Sequence, residues 1–472
     1  MIRIIGGGLA GCEAAWQAAR LGQDVTLYEM RPVQATLVHK TDHLAELVCS
    51  NSFRGDKLDN AVGLIKEEMR RLDSVVMAAA EVARVPAGAA LAVDREVFSR
   101  EVAARLATEP HITVCREEVT SVPPPSAPGD AVIIATGPLT SDALSQAIQT
   151  FVGDEHLSFY DAISPIVLAE SIDLDKVFRQ SRWGRSLRRD TAGAGAARTD
   201  GAPVAAAAAF DVAAAGPACG VDDGEGDYLN CPFSKAEYEA FYDALVTAES
   251  ATIHDFDTAT FFEGCLPIEV MAHRGKDTLR FGPMKPVGLE DPRAGRRPYA
   301  VVQLRQDTLA GDHFSLVGFQ TQLKWSEQAR VLRLIPGLER AEFVRFGMVH
   351  RNTFINGPKV LRPTWQTKGR DDLFFAGQIS GVEGYVESAA SGLIAGRNAA
   401  LWAQGLAPLA PPRTTAIGAL AYYVSHADPA HYQPSNITFG IMPPLDDPPR
   451  DKALRKQALA DRALTDLAAW MR

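Results

Sequence analysis

Short apolar runs and one small-residue segment alternate over the first thirty residues. The apolar run 2–5 leads into a glycine-rich turn at 6–11, and the alanine-rich stretch 12–20 has the composition of a helix. A second apolar run at 24–28 ends at Glu29. Short apolar runs bounded by turn residues favour strands, so this pattern predicts a strand, a helix and a second strand.

Comparable patterns predict further elements along the chain. Spaced apolar positions predict helices over 60–80 and 94–106. Short apolar runs predict strands at residues 112–115, 131–134, 300–304, 314–319 and 373–375. The last of these is followed by a small-residue helix over 388–396, which is suited to tight packing.

Residues 184–226 differ in character from the rest. They are rich in Ala, Gly and Asp and lack an apolar period, so a disordered insert is predicted there. Because strands that end in small residues occur near both ends of the chain, we expect one nucleotide-binding domain built from residues 1–150 and 326–472. A second α/β domain, residues 151–325, is predicted to be inserted between the two parts.

The glycine-rich turn has the spacing G-x-G-x-x-G, and an acid follows at a suitable distance. Gly6 permits a tight turn, Gly8 lets the backbone approach a pyrophosphate, and Gly11 lets the helix pack closely on the strand. Glu29, 21 residues after Gly8, is placed to accept a hydrogen bond from a ribose hydroxyl. The alternative is a glycine-rich turn in another kind of α/β protein. The predicted cofactor contacts in the turn are Gly6, Gly8, Leu9, Ala10 and Gly11.

Length and charge narrow the class of protein. The 472 residues are 46% hydrophobic and 22% charged, which suits a globular protein with one large core or two. The net charge of −10 argues against a uniformly basic surface but leaves room for a local basic face. We predict neither a signal peptide nor a membrane-spanning segment, because the apolar runs are too short.

Six cysteines are scattered along the chain without a C-x-x-C pair. Neither a zinc ribbon nor a dithiol redox centre is therefore indicated, and no metal site is predicted. Such thiols suit a reducing cytoplasm, which is the predicted location. Two cysteines stand in unusual settings: Cys49 in the polar stretch 46–52, and Cys231 just after the predicted insert. The others, Cys12, Cys115, Cys219 and Cys265, are interpreted as inert buried residues.

Three segments together point to FAD. They are the N-terminal turn, the strand ending in Ala135-Thr136-Gly137, and the strand ending in Ala376-Gly377-Gln378. Taken alone, either later segment is ordinary sheet core. Their combination resembles a glutathione-reductase-like FAD-binding Rossmann-type domain, and an inserted α/β domain completes the predicted α/β fold class. The resemblance implies that the last strand and the following helix lie near the isoalloxazine. The further cofactor contacts expected are Gly137, Gly377, Gln378, Glu383 and Gly384.

Longer segments carry a more specific resemblance. They match Tyr28–Pro32, Glu46–Ser52, Lys66–Asp73, Ala135–Thr140, Tyr228–Pro232, Thr278–Pro286, His350–Phe354 and Phe375–Ser391. On these segments the chain is identified as a member of the folate- and FAD-dependent tRNA uridine-5-methyltransferases. Related flavoproteins that modify the tRNA wobble uridine share the turn and the late Ala-Gly-Gln segment. The match also implies that Arg31 contacts the cofactor, whereas the insert at 184–226 departs from the family pattern.

The family resemblance implies formation of 5-methyluridine at tRNA position 54, in the T loop. The carbon comes from 5,10-methylenetetrahydrofolate, and NAD(P)H is expected to re-reduce the flavin. Elementary chemistry agrees with this assignment. A thiolate that adds to carbon 6 of uracil produces an enolate, whose carbon 5 can attack an electrophilic methylene. Reduced FAD can then supply the hydride that completes a methyl group.

The resemblance and this chemistry suggest roles for the two unusual cysteines. Cys231 is expected to attack carbon 6, and Cys49 to act as a second thiol that helps remove the carbon 5 proton or protects the flavin adduct. The residues leave these roles interchangeable. A free thiol, with a pKa of about 8.5, needs a nearby cation to be reactive at pH 7. Four basic residues are expected to bind folate carboxylates or tRNA phosphates, or else to be surface charges or structural ion pairs: Arg280, Lys285, His350 and Arg351.

The expected partners are therefore the T arm of tRNA and folate, with no membrane and no obligate protein partner. Two rival enzymatic functions remain open from sequence: a related flavoprotein that modifies another RNA uridine, and a generic FAD oxidoreductase without an RNA substrate. A third alternative is a non-catalytic, FAD-containing RNA-binding module.

Overall fold

The structure is a computed structural model, and it describes most of the chain. The residues described are 1–36, 38–153, 156–162, 164–184, 226–250, 266–347 and 349–471. Only the backbone is described for 156–162 and 349–353. The predicted insert 184–226, apart from its two end residues, and the cysteines Cys219 and Cys265 lie outside the described residues.

The strands and α-helices follow one another along the whole described chain. The strands are β1 (Ile2–Ile5), β2 (Val25–Tyr28), β3 (Ser52–Gly55), β4 (Arg84–Val85), β5 (Ala90–Val93), β6 (Ile112–Cys115), β7 (Ala131–Ile134), β8 (His156–Ala162), β9 (Ile166–Leu168), β10 (Phe178–Arg179), β11 (Tyr228–Phe233), β12 (Ala300–Gln306), β13 (His313–Leu316), β14 (Phe343–Arg345), β15 (Val349–Ile355) and β16 (Leu373–Phe375). The helices are α1 (Leu9–Arg20), α2 (Ala61–Arg71), α3 (Val75–Val82), α4 (Arg95–Thr108), α5 (Asp142–Val152), α6 (Lys235–Val246), α7 (Ile268–His273), α8 (Thr278–Phe281), α9 (Trp325–Leu332), α10 (Gly357–Val360), α11 (Tyr385–Ala403), α12 (Ala416–His426) and α13 (Lys452–Trp470).

A parallel sheet organises the first and last parts of the chain. Its strand order is β16-β7-β1-β2-β6, with every neighbouring pair parallel. The central strand β1 is buried because helices cover both faces of such a sheet. The carboxyl ends of β1, β2, β7 and β16 therefore meet at one edge, which is where ligands bind in open α/β sheets. The predicted α/β fold class is confirmed.

Small residues allow the two helices beside this sheet to approach closely. A Cβ atom at Gly392 of α11 would lie 2.1 Å from the carbonyl oxygen of Ala10 in α1. At Gly396 it would lie 2.3 Å from the carbonyl oxygen of Ala14. The predicted small-residue helix thus packs against the first helix, and any larger side chain at these glycines would push the two helices apart.

The middle of the chain forms an antiparallel sheet with its own core. The strand order is β10-β11-β12-β13-β9-β14, and α6 buries Tyr238, Phe241 and Leu245 against one face. Strand β14 lies beyond residue 325, so this sheet extends past the predicted boundary. The boundaries at 150 and 325 remain predictions. The chain passes between two regions, one around the parallel sheet and a second around the antiparallel sheet. Strands β8 and β15 lie where it does so and pair as an antiparallel ribbon.

The helix predicted over 60–80 is divided into two. Residue Asp73 has a left-handed φ of 59°, and the Ser74 side chain accepts a hydrogen bond from the N–H of Met77 to begin α3. The Ser74 hydroxyl also donates to the buried carboxylate of Glu13, at 2.6 Å. The apolar spacing continues across the break, so periodicity alone predicts one helix, whereas Ser74 immediately before an apolar run was a signal for a new helix start.

Candidate functional site

A cleft of about 430 Å³ lies at the carboxyl edge of the parallel sheet, and the antiparallel sheet contributes Arg305 and residues 315–318 to its wall. Most of the predicted cofactor residues converge there. Those that line the cleft are Gly6, Gly8, Leu9, Ala10, Glu29, Arg31, Gly137, Gly377, Gln378, Glu383 and Gly384, together with Cys49. Gly11, Cys231, Arg280 and Lys285 are outside the lining, and the side chains of His350 and Arg351 are not described.

The glycine turn has the geometry that its spacing predicts. Gly6 has a φ of +105°, and a Cβ there would lie 2.6 Å from the carbonyl oxygen of Ala135. A Cβ at Gly11 would lie 1.8 Å from the carbonyl oxygen of Gly6. By contrast, a Cβ at Gly8, which caps the N-terminus of α1, would meet open space. The open position at Gly8 leaves room for a phosphate against the start of the helix.

Glu29 stands beside this turn, and its carboxylate is held from two sides. Oε2 accepts from the N–H of Gly7 at 3.0 Å, and Oε1 accepts from Nε of Arg31 at 2.8 Å. Burial alone would raise the pKa of Glu29, but the hydrogen bonds and charge of Arg31 outweigh it and keep the pKa below its usual range. The acid is therefore ionised and placed to accept from a ribose hydroxyl.

The contacts of Arg31 are with other residues of the protein. Besides Glu29, its guanidinium contacts the Glu46 carboxylate at 2.9 Å and donates to the carbonyl oxygens of Thr41 and His43. It thereby fixes the loop before Cys49 to the carboxyl end of β2. Direct contact between Arg31 and a cofactor stays a prediction.

The opposite side of the cleft is formed by the start of α11. Gly377 follows β16 with a φ of +76° and donates its N–H to the Ser391 hydroxyl at 2.7 Å. Gln378 donates to the Glu383 carboxylate at 2.6 Å. Gly384 caps α11, whose N-terminus carries a partial positive charge toward the cleft. A turn that fits a phosphate, an acid that fits a ribose and a second helix start together fit FAD.

Cys49 lies in this cleft, on a segment that is anchored to α11. The Tyr385 hydroxyl oxygen accepts from the N–H of Cys49 at 2.8 Å and from the N–H of Ser50 at 3.0 Å. The thiol is partly exposed. A partly exposed thiol next to a helix N-terminus is the kind of setting in which cysteines are reactive.

Three guanidinium groups interact electrostatically with the Cys49 thiol: Arg95, Arg305 and Arg345. Arg95, at the start of α4, lies 3.2 Å from the Asp307 carboxylate. Arg305, on β12, donates to the side-chain oxygens of Asn51 at 2.8 Å and Ser50 at 2.9 Å. A reactive thiol needs a nearby cation, and here residues that are distant in the chain supply it.

Arg305 and Arg345 differ from Arg95 because neither forms a close ion pair with a carboxylate among the described residues, although Asp307 and Glu46 act on them at longer range. The hydrogen-bond acceptors of Arg305 are neutral. The Nε and one Nη atom of Arg345 are buried and find no hydrogen-bond partner in the described part of the chain. Burial lowers the pKa of both arginines, and an adjacent anion would relieve that cost. Both residues place a positive charge near the Cys49 thiol.

Cys231 occupies a different environment. It is 0% exposed, pairs with Val302 across β11 and β12, and belongs to the apolar core beneath α6. Burial raises the pKa of its thiol. Because side chains alternate along a strand, Tyr228, which pairs with Arg305, lies on the opposite face from Cys231. The two thiols are therefore on opposite sides of the antiparallel sheet, and the attack of Cys231 on a base stays a prediction.

The predicted substrate contacts Arg280 and Lys285 lie on the second region, outside the cleft. Arg280 donates to the carbonyl oxygen of Tyr299 at 3.0 Å and stacks 3.7 Å above that ring. It also pairs with Asp277 at 2.7 Å. Arg280 therefore has a structural function here, whereas Lys285 is partly exposed. Substrate binding by either residue stays a prediction.

Sequence reasoning missed Arg95, Arg305, Arg345 and Tyr385 as site residues. One signal was available for Arg305, which directly follows the apolar run 300–304 on the same strand. A charged residue in a buried strand needs a specific partner. Tyr385 lies inside the family-matching segment Phe375–Ser391 and directly follows Gly384, which was a signal for it. No comparable local signal marks Arg95 or Arg345, which reach the site only in three dimensions. Within the ranges described, no group of His, Cys, Asp or Glu is arranged to hold a metal ion, and no helix has the length and apolar character needed to cross a bilayer.

Comparison with known proteins agrees with the class that the fold and cleft define, an FAD-binding flavoprotein of Rossmann type. The family profile described as "Glucose inhibited division protein A" matches residues 1–195 and 197–407. A crystal structure of Aquifex aeolicus GidA superposes with a TM-score of 0.66 over 99% of this chain and 73% of its own, at 17% identity. This likeness concerns the fold, and it confirms the predicted FAD-binding architecture.

Relatives with much higher identity cover nearly the whole chain. The methylenetetrahydrofolate–tRNA-(uracil-5-)-methyltransferase TrmFO of Pelotomaculum thermopropionicum is 58% identical over 445 residues, which are 94% of this chain and 92% of the relative. The protein of the same name from Symbiobacterium thermophilum is 57% identical over 450 residues, 95% and 91% of the two chains. The chain belongs to the GidA family and, within it, to the methylenetetrahydrofolate–tRNA-(uracil-5-)-methyltransferases.

Proposed function

We propose that this protein is a transferase that forms 5-methyluridine at position 54 in the T loop of tRNA. It takes the carbon from 5,10-methylenetetrahydrofolate and the reducing equivalents from NAD(P)H through FAD. The observation that carries the proposal is identity of 57–58% over nearly the full length with relatives named for this reaction. The position of Cys49 in the cofactor cleft supports the proposal, because a generic FAD oxidoreductase does not need a thiol there.

The residues around the cleft are suited to hold FAD across its full length. The turn at Gly8 takes the pyrophosphate, Glu29 the ribose, and the segment from Gly377 to Gly384 the region near the flavin ring. When bound, FAD supplies the hydride that converts the transferred methylene into a methyl group. The N-terminus of α11 favours negative charge close to that ring.

Cys49 is proposed as the thiol that acts beside the cofactor. Its segment is held by Tyr385 and by Arg305, so the thiol is fixed relative to both regions of the molecule. In the anionic form it can accept the proton that leaves carbon 5 of uracil, after carbon 5 has bonded to the methylene. The surrounding guanidinium groups stabilise the charged form before that step.

Cys231 is proposed to add to carbon 6 of uracil, forming the carbon–sulfur bond that is broken again when the product leaves. This role requires that β11 become accessible when RNA binds, because the thiol is in the apolar core. An accessible Cys231 in the RNA complex would support the proposal. If Cys49 alone reacts, the two roles are reversed.

The substrate side includes the T arm of tRNA and folate. Arg280, Lys285, His350 and Arg351 are proposed to contact folate carboxylates or RNA phosphates. The T-loop uridine is stacked within the tRNA, so the protein has to extrude the base before the reaction. A cytoplasmic location is proposed on the same basis, since its substrates are tRNA and folate.

The test is a defined reaction with the purified flavoprotein. Unmodified tRNA transcript, 5,10-methylenetetrahydrofolate and NAD(P)H should give 5-methyluridine that mass spectrometry of nuclease fragments locates at position 54. A transcript with cytidine at that position is the matched control. Methylation elsewhere, or consumption of NAD(P)H without any modified nucleoside, would refute the proposal. Peptide mapping of the adduct with a 5-fluorouridine T-loop RNA identifies the thiol that attacks the base.

A further inference from the structure

One exposed aromatic side chain stands apart on the second region of the molecule. Phe281, the last residue of α8, is 81% exposed and is the most exposed large hydrophobic residue of the described chain. Its neighbour Leu279 is fully buried, and Arg280 is locked against Tyr299. The short helix is therefore fixed on the domain, and it presents Phe281 to solvent.

The segment that contains Phe281 is basic, although the protein as a whole is acidic. Residues 273–297 hold seven Lys or Arg and three Asp or Glu, whereas the whole chain has a net charge of −10. Such a local excess attracts polyanions even when the total charge is negative.

The carboxylates in this segment leave several cations without a counter-ion. Asp277 pairs with Arg280 at 2.7 Å, and Asp291 pairs with Arg293 at 3.0 Å. For Lys285, Arg296 and Arg297 no ion pair is formed with any described residue. Arg296 and Arg297 are exposed, and Lys285 is partly exposed. The contact of Arg280 with Tyr299 joins the part of the segment that carries Phe281 and Lys285 to the part that carries Arg296 and Arg297. Exposed cations on the same segment as an exposed aromatic ring are a combination that binds unpaired nucleotides.

The position of the segment links it to the cleft. Pro283 packs against Gly318, where an added Cβ would lie 2.8 Å from the Pro283 Cβ. Gly318 itself lines the cofactor cleft. A ligand that covers Phe281 and Lys285 is therefore adjacent to the cleft mouth, which is where the T loop has to be if its uridine enters.

We propose that Phe281, Lys285, Arg296 and Arg297 form a docking surface for RNA. Phe281 stacks on an unpaired base, and the three cations contact backbone phosphates. The proposal rests on the proposed function, because it assigns the surface to the T arm. A protein partner is disfavoured, since a single exposed ring among charges lacks the apolar core of a protein interface.

The test measures binding of a fluorescent T-arm hairpin to the holoenzyme at several salt concentrations. Phe281→Ala should weaken binding about 5- to 150-fold without changing the salt slope, because stacking contributes about 1–3 kcal/mol per base. Arg296→Gln with Arg297→Gln should weaken binding and reduce the slope of log Kd against log salt by about 1 to 2, according to how many phosphates the two arginines neutralise. Leu454→Ala on α13 and Arg100→Gln on α4, both at exposed sites, are the matched controls.

The outcomes separate this surface from the function. If the variants bind the hairpin as the wild type does and methylate it normally, the surface is wrong and the function stands. If the wild type binds the hairpin through these residues but makes no 5-methyluridine, the surface stands and the function is wrong. If the wild type binds no RNA, or if a protein ligand competes at Phe281, the surface is wrong.

Discussion

The segment around Cys49 and the strand around Cys231 place the same side chain in opposite environments. Cys49 lies in a polar loop between two regions, faces the cofactor cleft and interacts with three guanidinium groups. Cys231 lies in the middle of an antiparallel strand and packs among apolar side chains. A thiol in the first setting favours its anion, whereas the second favours the neutral form.

This contrast shows that a sequence motif and an environment report different properties. The motif around each cysteine indicates that both matter to the family. The environment shows which thiol is accessible in the protein without RNA, and that is Cys49, because Cys231 is buried. A catalytic Cys231 must be prepared by something that the protein alone does not supply.

The sharpest test compares alkylation of the two thiols in the native holoenzyme. We expect iodoacetamide to modify Cys49 at least about 10³-fold faster than Cys231, because a buried thiol reacts only when the structure opens. Mass spectrometry of tryptic peptides over time measures both rates in one sample. In guanidinium chloride the two rates should become similar.

The same measurement with T-arm hairpin RNA decides whether Cys231 becomes accessible. Faster modification of Cys231 in the complex would agree with its proposed attack on carbon 6. Rapid modification of Cys231 in the protein without RNA would contradict the contrast drawn here, because it would mean that the core around β11 opens readily.

A second test uses stability. Cys231→Ser places a hydroxyl without a partner in an apolar core, so we expect a loss of about 1–3 kcal/mol. Cys231→Ala, which adds no polar group, should cost less than the serine variant. Cys49→Ser should change stability by no more than about 0.5 kcal/mol, since its site is polar and partly open. Urea midpoints of the four holoproteins give the comparison, and equal midpoints for both serine variants would refute it.

Much of this arrangement was predictable because the information is local. The strand, turn and helix of residues 2–20 follow from apolar runs and glycine spacing, and the position of Glu29 follows from the next strand. The position of Gly377 in the same cleft was also predictable, because parallel strands end at one edge of their sheet. A short local pattern is sufficient to place a residue where the sheet topology allows few alternative positions.

The cationic environment of Cys49 depends on long-range contacts instead. Arg305 reaches Ser50 and Asn51 across 255 and 254 positions of the chain, and nothing in the polar loop specifies that partner. The burial of Cys231 was also missed, although the alternation 229, 231, 233 on β11 was a signal for an inward-facing side chain. The family pattern around Cys231 outweighed that signal in the sequence analysis.

The smallest effect expected here concerns the arginines that distinguish the two environments. Arg345→Gln removes a positive charge near Cys49, so the thiolate becomes less favoured and the pH profile of Cys49 alkylation should move to higher pH. At pH 7 we expect the rate to fall about tenfold, since a unit charge at a separation of about 8–16 Å contributes on the order of 1–2 kcal/mol at an effective dielectric constant near 20. Arg100→Gln, exposed on α4, is the control and should leave the profile unchanged.

Arg305→Lys separates charge from geometry at the same site. Lysine keeps the positive charge but cannot donate in the fork that joins Asn51 to Ser50. If charge alone matters, Arg305→Lys alkylates like the wild type while Arg345→Gln is slow. If the fork also positions the loop, the lysine variant loses rate at every pH without a shift of the profile. An unchanged profile in both variants would mean that Arg345 has no part in preparing the thiol, and that the positive charges at positions 95 and 305 are sufficient.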